Sequence, residues 1–405
     1  MNLITLLRRN IGFSIAASGL QLLSTLATVR LAGPAAFADL TVDVFKLAVI
    51  AIFLELVPTP YANYRIQREA DFGPHMATFS LASSLFCLAA WTAVAGAGLF
   101  SSATVWMAPY AVYLGAQRYL DIKLQAENRV QEYYQVLCIA AALRLALTIA
   151  GLLLIQGHDI EILWASLSLS SIASIAFWFW RKPGEAGLFL RRGHRGSVVE
   201  LYAARSAYYP YYVNTALKRL RDSLLPVAAS FVVADKGELA RYLLAMRAVE
   251  FVMGQLRVVE ALLANLGNRA AVHHNRSTML LLLAVAAQAV TFVTCLFLAG
   301  QAGWSTSTIV TSAVASFFAY PYILEIGSRS DAYAEDAPMR VTISFAAFTV
   351  TLAVALAGLA HFGWLFAPAL VATPVLAQTI ASSTYWITRR LIRGRYTADQ
   401  VAAGR

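Results

Sequence analysis

Between residues 208 and 260 the chain sets Lys218, Arg219, Arg221, Arg241, Arg247 and Arg257 against Asp222, Glu250 and Glu260, within sequence otherwise apolar enough for a membrane. Charge in hydrocarbon is costly, so such residues face a bundle interior or an aqueous cavity and often mark a substrate path. At about 100° per residue, Tyr211, Asn214, Lys218, Arg221 and Asp222 share one helical face. Arg219 lies off that stripe but within i,i+3 reach of Asp222. On the next helix Arg247, Glu250, Gly254 and Arg257 share a face, and Asp39, Asp43 and Lys46 do the same far upstream. Three polar stripes can be hidden only against one another or against water.

Lys46 and Arg247 each fall about nine residues into their helices, near the midplane at ~1.5 Å per residue. Arg144, Lys218 and Arg221 are also mid-helix. Any single pair reads equally well as a structural ion pair, for example Asp222 with Lys218 or Arg219, or Glu250 with Arg247 or Arg257. Together, however, intramembrane Lys and Arg outnumber Asp43, Glu55, Asp121, Asp222, Glu250 and Glu260. That excess favours an anionic ligand, for which charge-assisted hydrogen bonds are strong in a low-dielectric site. Asp43, Asp222 and Glu250 are candidates for titration coupled to a proton or sodium gradient, or equally static counter-ions. Arg118, Arg205 and Arg257 lie near one membrane face, where long side chains snorkel. Tyr211, Asn214 and Arg257 complete the expected cavity lining.

The elements that must hold these groups are membrane helices. The 405 residues are 59% hydrophobic and 13% charged, with mean hydropathy +0.62, whereas a soluble domain carries about 25% charge. A window of ~20 apolar residues predicts helices over 11–32, 37–58, 76–99, 104–124, 134–156 and 159–180. Six more are predicted over 205–233, 238–263, 278–300, 304–326, 339–361 and 364–388. The fold class is therefore an all-α polytopic membrane protein of about 12 transmembrane helices in two six-helix lobes. The lobes are residues 1–180 and 200–405, joined by a polar cytoplasmic linker over 181–199. An alternative makes 196–276 a cytoplasmic amphipathic hairpin and leaves ten spans. Yet 223–235 is too short to cross alone, so a crossing seventh helix must carry residues 218–222 into the membrane.

With the N-terminus inside, twenty of the 32 Lys and Arg fall at inner ends and only Arg30 and Lys236 at outer ends. This places both termini in the cytoplasm. Trp106, Trp164, Trp304 and Trp364 at outer ends, and Trp178, Trp180 and Trp386 at inner ends, read as an interfacial belt. Residues 1–33 do not read as a cleavable signal. The net charge of +10 belongs to the loops, and no module for nucleic acid is present. The outer loops over 101–103, 157–158 and 301–303 are too short for a catalytic domain, so no enzyme is expected. Cys87, Cys138 and Cys295 sit singly in apolar segments, with no disulfide framework. The six histidines lack acid partners at metal-ligand spacing, so neither a metal nor a bound cofactor is expected. No nucleotide or hydrolase motif occurs. Glu325, beside Tyr320, Pro321 and Tyr322, reads as a capping or interface acid.

The turn Arg30-Leu31-Ala32-Gly33-Pro34-Ala35-Ala36-Phe37-Ala38-Asp39-Leu40 resembles the R-x-LGP-x-x-FG-x-Y turn of Wzx-type polysaccharide flippases of the MOP superfamily. Residues 237–247, GELARYLLAMR, look like the matching G-x-YxLAxR segment in the second half. The chain departs from the pattern at Ala38, Leu40 and Ala240. The resemblance implies two lobes forming a V around a cationic cavity. It also implies an undecaprenyl-pyrophosphate-linked oligosaccharide as substrate, moved from the cytoplasmic to the periplasmic leaflet of a bacterial inner membrane. Membrane lipids and other polysaccharide-assembly membrane proteins are the partners it implies. The pyrophosphate is then assigned to Arg30, Lys46, Arg144, Lys218, Arg219, Arg221 and Arg247. A MATE-like exporter of cations belongs to the same superfamily and calls for an acidic cavity instead.

Overall fold

A computed structural model describes residues 3–53, 72–100, 104–126, 129–184, 205–266, 276–323, 325 and 338–403. Twelve long helices account for most of them. The first six are α1 (Leu3–Leu31), α2 (Gly33–Phe53), α3 (Phe72–Gly96), α4 (Met107–Ala126), α5 (Val130–Leu154) and α6 (Asp159–Arg181). The second six are α7 (Arg205–Val232), α8 (Lys236–Leu266), α9 (Arg276–Ala299), α10 (Thr306–Ser316), α11 (Pro338–Phe362) and α12 (Ala367–Ala403). A short 3-10 turn, Gly300–Ala302, follows α9.

The order of contacts repeats. The pairs α1–α5, α3–α4, α5–α6 and α4–α6 recur six helices later as α7–α11, α9–α10, α11–α12 and α10–α12. The chain is thus two six-helix sets built to one plan, and they meet where α1 and α2 touch α7 and α8. In the first set Leu40, Leu47, Met107, Leu163 and Trp164 form a core shared by α2, α4 and α6.

The reading of 196–276 as a surface hairpin is overturned. Helix α8 is the hub of the second set and touches α1, α2, α7, α9, α10 and α12. Leu239, Tyr242, Leu243, Leu244, Ala248 and Val252 are all buried, as a helix enclosed by its neighbours requires. By contrast, the outward faces of α5 and α9 carry bare apolar side chains, Leu154 at 81% exposure and Leu282 at 66%. Water does not tolerate so extended an apolar surface, whereas lipid does. Five described segments are long and apolar enough to cross a membrane: Gly12–Leu31, Gln131–Leu154, Asp159–Arg181, Leu281–Ala302 and Thr342–Phe362.

Local chemistry sets the helix ends. Gly33 takes φ 90 between α1 and α2, a conformation that costs a Cβ-bearing residue, and Pro34 follows in the first turn of α2, where its missing N–H costs nothing. Asp235 caps α8, accepting from the backbone N–H of Gly237 at 2.7 Å and of Glu238 at 3.3 Å. The tenth helix, expected as one piece, stops at Ser316, and helical backbone resumes over 319–323. Pro321 is the cause, since it cannot donate to the Phe317 carbonyl four residues back. Trp164 and Trp178 are not interfacial. Both are buried, in the cores of the first set, while Trp180, Trp304 and Trp364 are exposed.

Candidate functional site

The first set contributes most of a cavity of about 370 Å³, closed on one side by α8. Arg144 of α5 and Arg247 of α8 both line it, so its two cations come from opposite halves. The Arg144 guanidinium lies within the field of the Arg247 charge. Arg247 Nη1 donates to Glu250 Oε2 at 2.6 Å, and its guanidinium lies over the Phe45 ring at 5.4 Å. Arg144 has no carboxylate partner among the described residues. Tyr110 lines the same cavity, and its ring stacks on Tyr113 at 5.6 Å and meets Trp164 edge-on at 5.9 Å.

The remaining wall is polar. Ser14, Ser18, Gln21 and Thr25 follow one face of α1, and Thr41, Tyr133 and Tyr134 complete the lining. This face was legible as an i, i+4, i+7, i+11 polar series, but uncharged residues attract less notice than arginines. The two halves also touch here, through Gln255 Nε2 donating to Ser18 Oγ at 3.1 Å. The lining runs from the middle of α1, α5 and α8 toward the end where α1 and α5 begin, the cytoplasmic end by the charge count.

Other expected site residues lie elsewhere. Lys46 Nζ sits 3.1 Å from Asp43 Oδ1, donates to the Leu99 carbonyl at 2.8 Å and lies over the Phe231 ring at 5.6 Å. Asp43 is fully buried, so this pair is satisfied within the protein, and neither residue lines the Arg144–Arg247 cavity. Arg30 is at the outer end, where its Nε donates to Gln301 Oε1 at 2.6 Å. Nearby, Lys236 Nζ meets both oxygens of Asp39 at 2.9 and 2.7 Å. These two contacts join the halves across the outer face. The backbone of Tyr211, Asn214, Lys218, Arg219, Arg221 and Asp222 belongs to α7 and that of Arg257 to α8, but their side chains lie outside the described residues.

Glu238 organises the outer end of the second set. It pairs with Arg241, accepts from the backbone N–H of Ala367 at 2.7 Å and lies 3.5 Å from Ser307 Oγ. Glu325 is buried and accepts from the Gln378 amide, and Ser382 Oγ donates to the Pro321 carbonyl at 3.0 Å. An interface acid is what its sequence context led us to expect. The described residues contain no cluster of His, Cys, Asp or Glu able to hold a metal.

A second chamber, of about 270 Å³, lies in the other set between α7, α8, α11 and α12. Met246, Met253, Phe348 and Leu352 are among its walls. Glu250 lines both chambers, and Phe45, whose ring carries Arg247, closes the second.

No family model matches this chain, and no curated protein matches it. Solved structures do. An outward-facing multidrug resistance MATE family transporter of the MOP superfamily superposes with TM-score 0.65 at 15% identity, covering 97% of this chain and 96% of that one. A MOP superfamily transporter from Pyrococcus furiosus, described as having a binding pocket of reversed polarity, gives 0.63 at 13% identity over 95% and 94%. The lipid II flippase MurJ in an inward closed conformation gives 0.60 at 12% identity over 94% and 87%. At such identities the likeness speaks for the fold, and it extends over nearly the whole of each chain. This polytopic membrane protein has the fold of the MOP superfamily transporters.

Proposed function

We propose that this chain is an alternating-access flippase that carries an undecaprenyl-pyrophosphate-linked oligosaccharide from the cytoplasmic to the periplasmic leaflet of a bacterial inner membrane. The observation that carries the reading is Arg144, a guanidinium inside the bundle with no carboxylate partner among the described residues, facing a second guanidinium from the other half. Intramembrane cations left over in this way call for an anion, and a pyrophosphate supplies several oxygens to both forks at once. Hydroxyls and tyrosines on the same wall suit sugar hydroxyls and faces. The lobes are residues 1–180 and 200–405, with 181–199 as a cytoplasmic linker and both termini inside. Lys218, Arg219 and Arg221 are proposed as further phosphate ligands, and Asp43, Asp222 or Glu250 as the coupling acid. Membrane lipids and other polysaccharide-assembly proteins are the proposed partners.

A MATE-like exporter of cations has the same fold in its favour, but two arginines against one glutamate make a poor host for a cation. The test is genetic. Deleting the protein should leave lipid-pyrophosphate oligosaccharide on the cytoplasmic leaflet, and restoring it should clear that pool. Variants neutralising Arg144, Lys218 or Arg247 should insert but fail to restore surface glycan. Normal export by all three sinks the proposal.

A further inference from the structure

The two chambers meet at one partition. Its polar member is the Arg247–Glu250 ion pair, closed at 2.6 Å, and Glu250 is exposed to both sides. Its apolar member is Phe45 of α2, with the Arg247 guanidinium on its ring at 5.4 Å and the second chamber against it. On one side lie Arg144, Arg247 and the hydroxyl stripe of α1. On the other lie Met246, Met253, Leu225, Phe348 and Leu352, and among the described residues Glu250 is the sole charged group there. The second chamber, of about 270 Å³, is open on one side, and its walls are mostly apolar side chains. An apolar segment attached to an anion held in the first cavity would remove those walls from water.

We propose that the second chamber receives the first carbon units of the prenyl chain esterified to the pyrophosphate, so that the ligand straddles the Arg247–Phe45–Glu250 partition. This rests on the pyrophosphate reading of the first cavity. The phosphates face Arg144 and Arg247, and the ester oxygen lies at the partition. The adjoining carbons are buried against methionine, leucine and phenylalanine. Methionines adapt to a chain of variable shape, and Glu250 repels a phosphate that slides too far. The chamber thereby sets the polarity of the bound ligand, with the sugar end kept in the cavity of the first set. Sugars in the apolar chamber would leave their hydroxyls unpaired.

The purified full-length protein is titrated with inorganic pyrophosphate, dimethylallyl pyrophosphate and geranyl pyrophosphate in one detergent. Affinity should rise roughly tenfold or more from the inorganic ion to the geranyl ester, given the apolar area buried. Met246→Trp and Leu352→Phe, which fill the chamber, should bind inorganic pyrophosphate as the wild type does and lose that gain. Since both proteins meet the same micelle, partitioning cannot mimic the difference. A gain retained in both filled variants overturns the proposal. Should the filled variants fail to fold, a photoreactive geranyl pyrophosphate on the wild type decides. Labelling of α8 or α11 residues facing the chamber supports the proposal, and labelling confined to lipid-facing side chains overturns it. Arg144→Gln separates the two readings. If inorganic pyrophosphate binds the wild type and Arg144→Gln equally, or neither, the anion site itself has failed and the chamber's role falls with it.

Discussion

Breaking the Lys236–Asp39 contact should favour opening of the outer face. The pair spans the halves, with Lys236 at the start of α8 and Asp39 in the second turn of α2, and it closes at 2.7 Å. Lys236 is about half exposed, at 54%, and Asp39 is 23% exposed, so solvent screens most of the Coulomb attraction. Exposed pairs of this kind contribute about 0.2–1 kcal/mol. Removing it by Lys236→Gln should then multiply the ratio of outer-open to outer-closed molecules by roughly 1.5 to 5. The Arg30–Gln301 hydrogen bond, at 2.6 Å, is the second clasp, and a bond to a charged group is worth about 1.5–3 kcal/mol at most, less where exposed. Arg30→Gln with Lys236→Gln should shift the ratio by tenfold or more if the two clasps act independently. Spin labels placed on the outer ends of α2 and α8 in lipid nanodiscs report the populations by pulsed electron resonance. The charge swap Asp39→Lys with Lys236→Asp should return the distribution toward wild type. If the single variant leaves the distances unchanged, or the swap behaves as badly as the single reversals, the clasp has no role in gating.

Asp43→Asn should be strongly destabilising, because it leaves Lys46, itself only 10% exposed, beside a neutral amide in place of a fully buried carboxylate. Uncoupling a buried pair costs about 3–5 kcal/mol, and Asp43→Asn with Lys46→Met should recover much of the loss in thermal unfolding. A double variant no more stable than the single one refutes that pairing. Gly115→Ala should also lower the melting temperature. A Cβ there would lie 2.5 Å from the Ser84 backbone nitrogen, where Ser84 Oγ already donates to the Val112 carbonyl at 2.9 Å. Overpacking of this kind costs about 1–3 kcal/mol, and an unchanged melt would show that α3 and α4 can separate freely.

Helix number was readable because hydropathy reports what lipid demands of each segment, and eleven of the expected spans lie close to helices of the structure. Two boundaries show what the window misses. Helix α12 runs on to Ala403, since its polar tail still suits a helix though it no longer suits lipid. Helix ten is broken by Pro321, a backbone effect that hydropathy does not register. The site was legible only in part. Arg144 and Arg247 stood out as cations at depth, but their meeting across the halves depends on how α5 and α8 are brought together, which no local pattern encodes. Lys46 looked equivalent to Arg247 by position in the repeat, yet Asp43 and the Leu99 carbonyl satisfy it. Arg30 stands in a recognisable turn, but the residue it reaches, Gln301, lies 271 positions away.

The most direct test is flipping itself, measured in proteoliposomes loaded with a fluorescent lipid-pyrophosphate oligosaccharide and challenged with a membrane-impermeant quencher. Wild-type protein should expose the inner-leaflet probe at a rate well above that of protein-free vesicles. Arg144→Gln and Arg247→Gln, with unaltered melting temperatures, should fall to the protein-free rate. Flipping by both variants at the wild-type rate, or a wild-type rate no faster than that of empty vesicles, would contradict the claim that this cationic cavity carries the pyrophosphate.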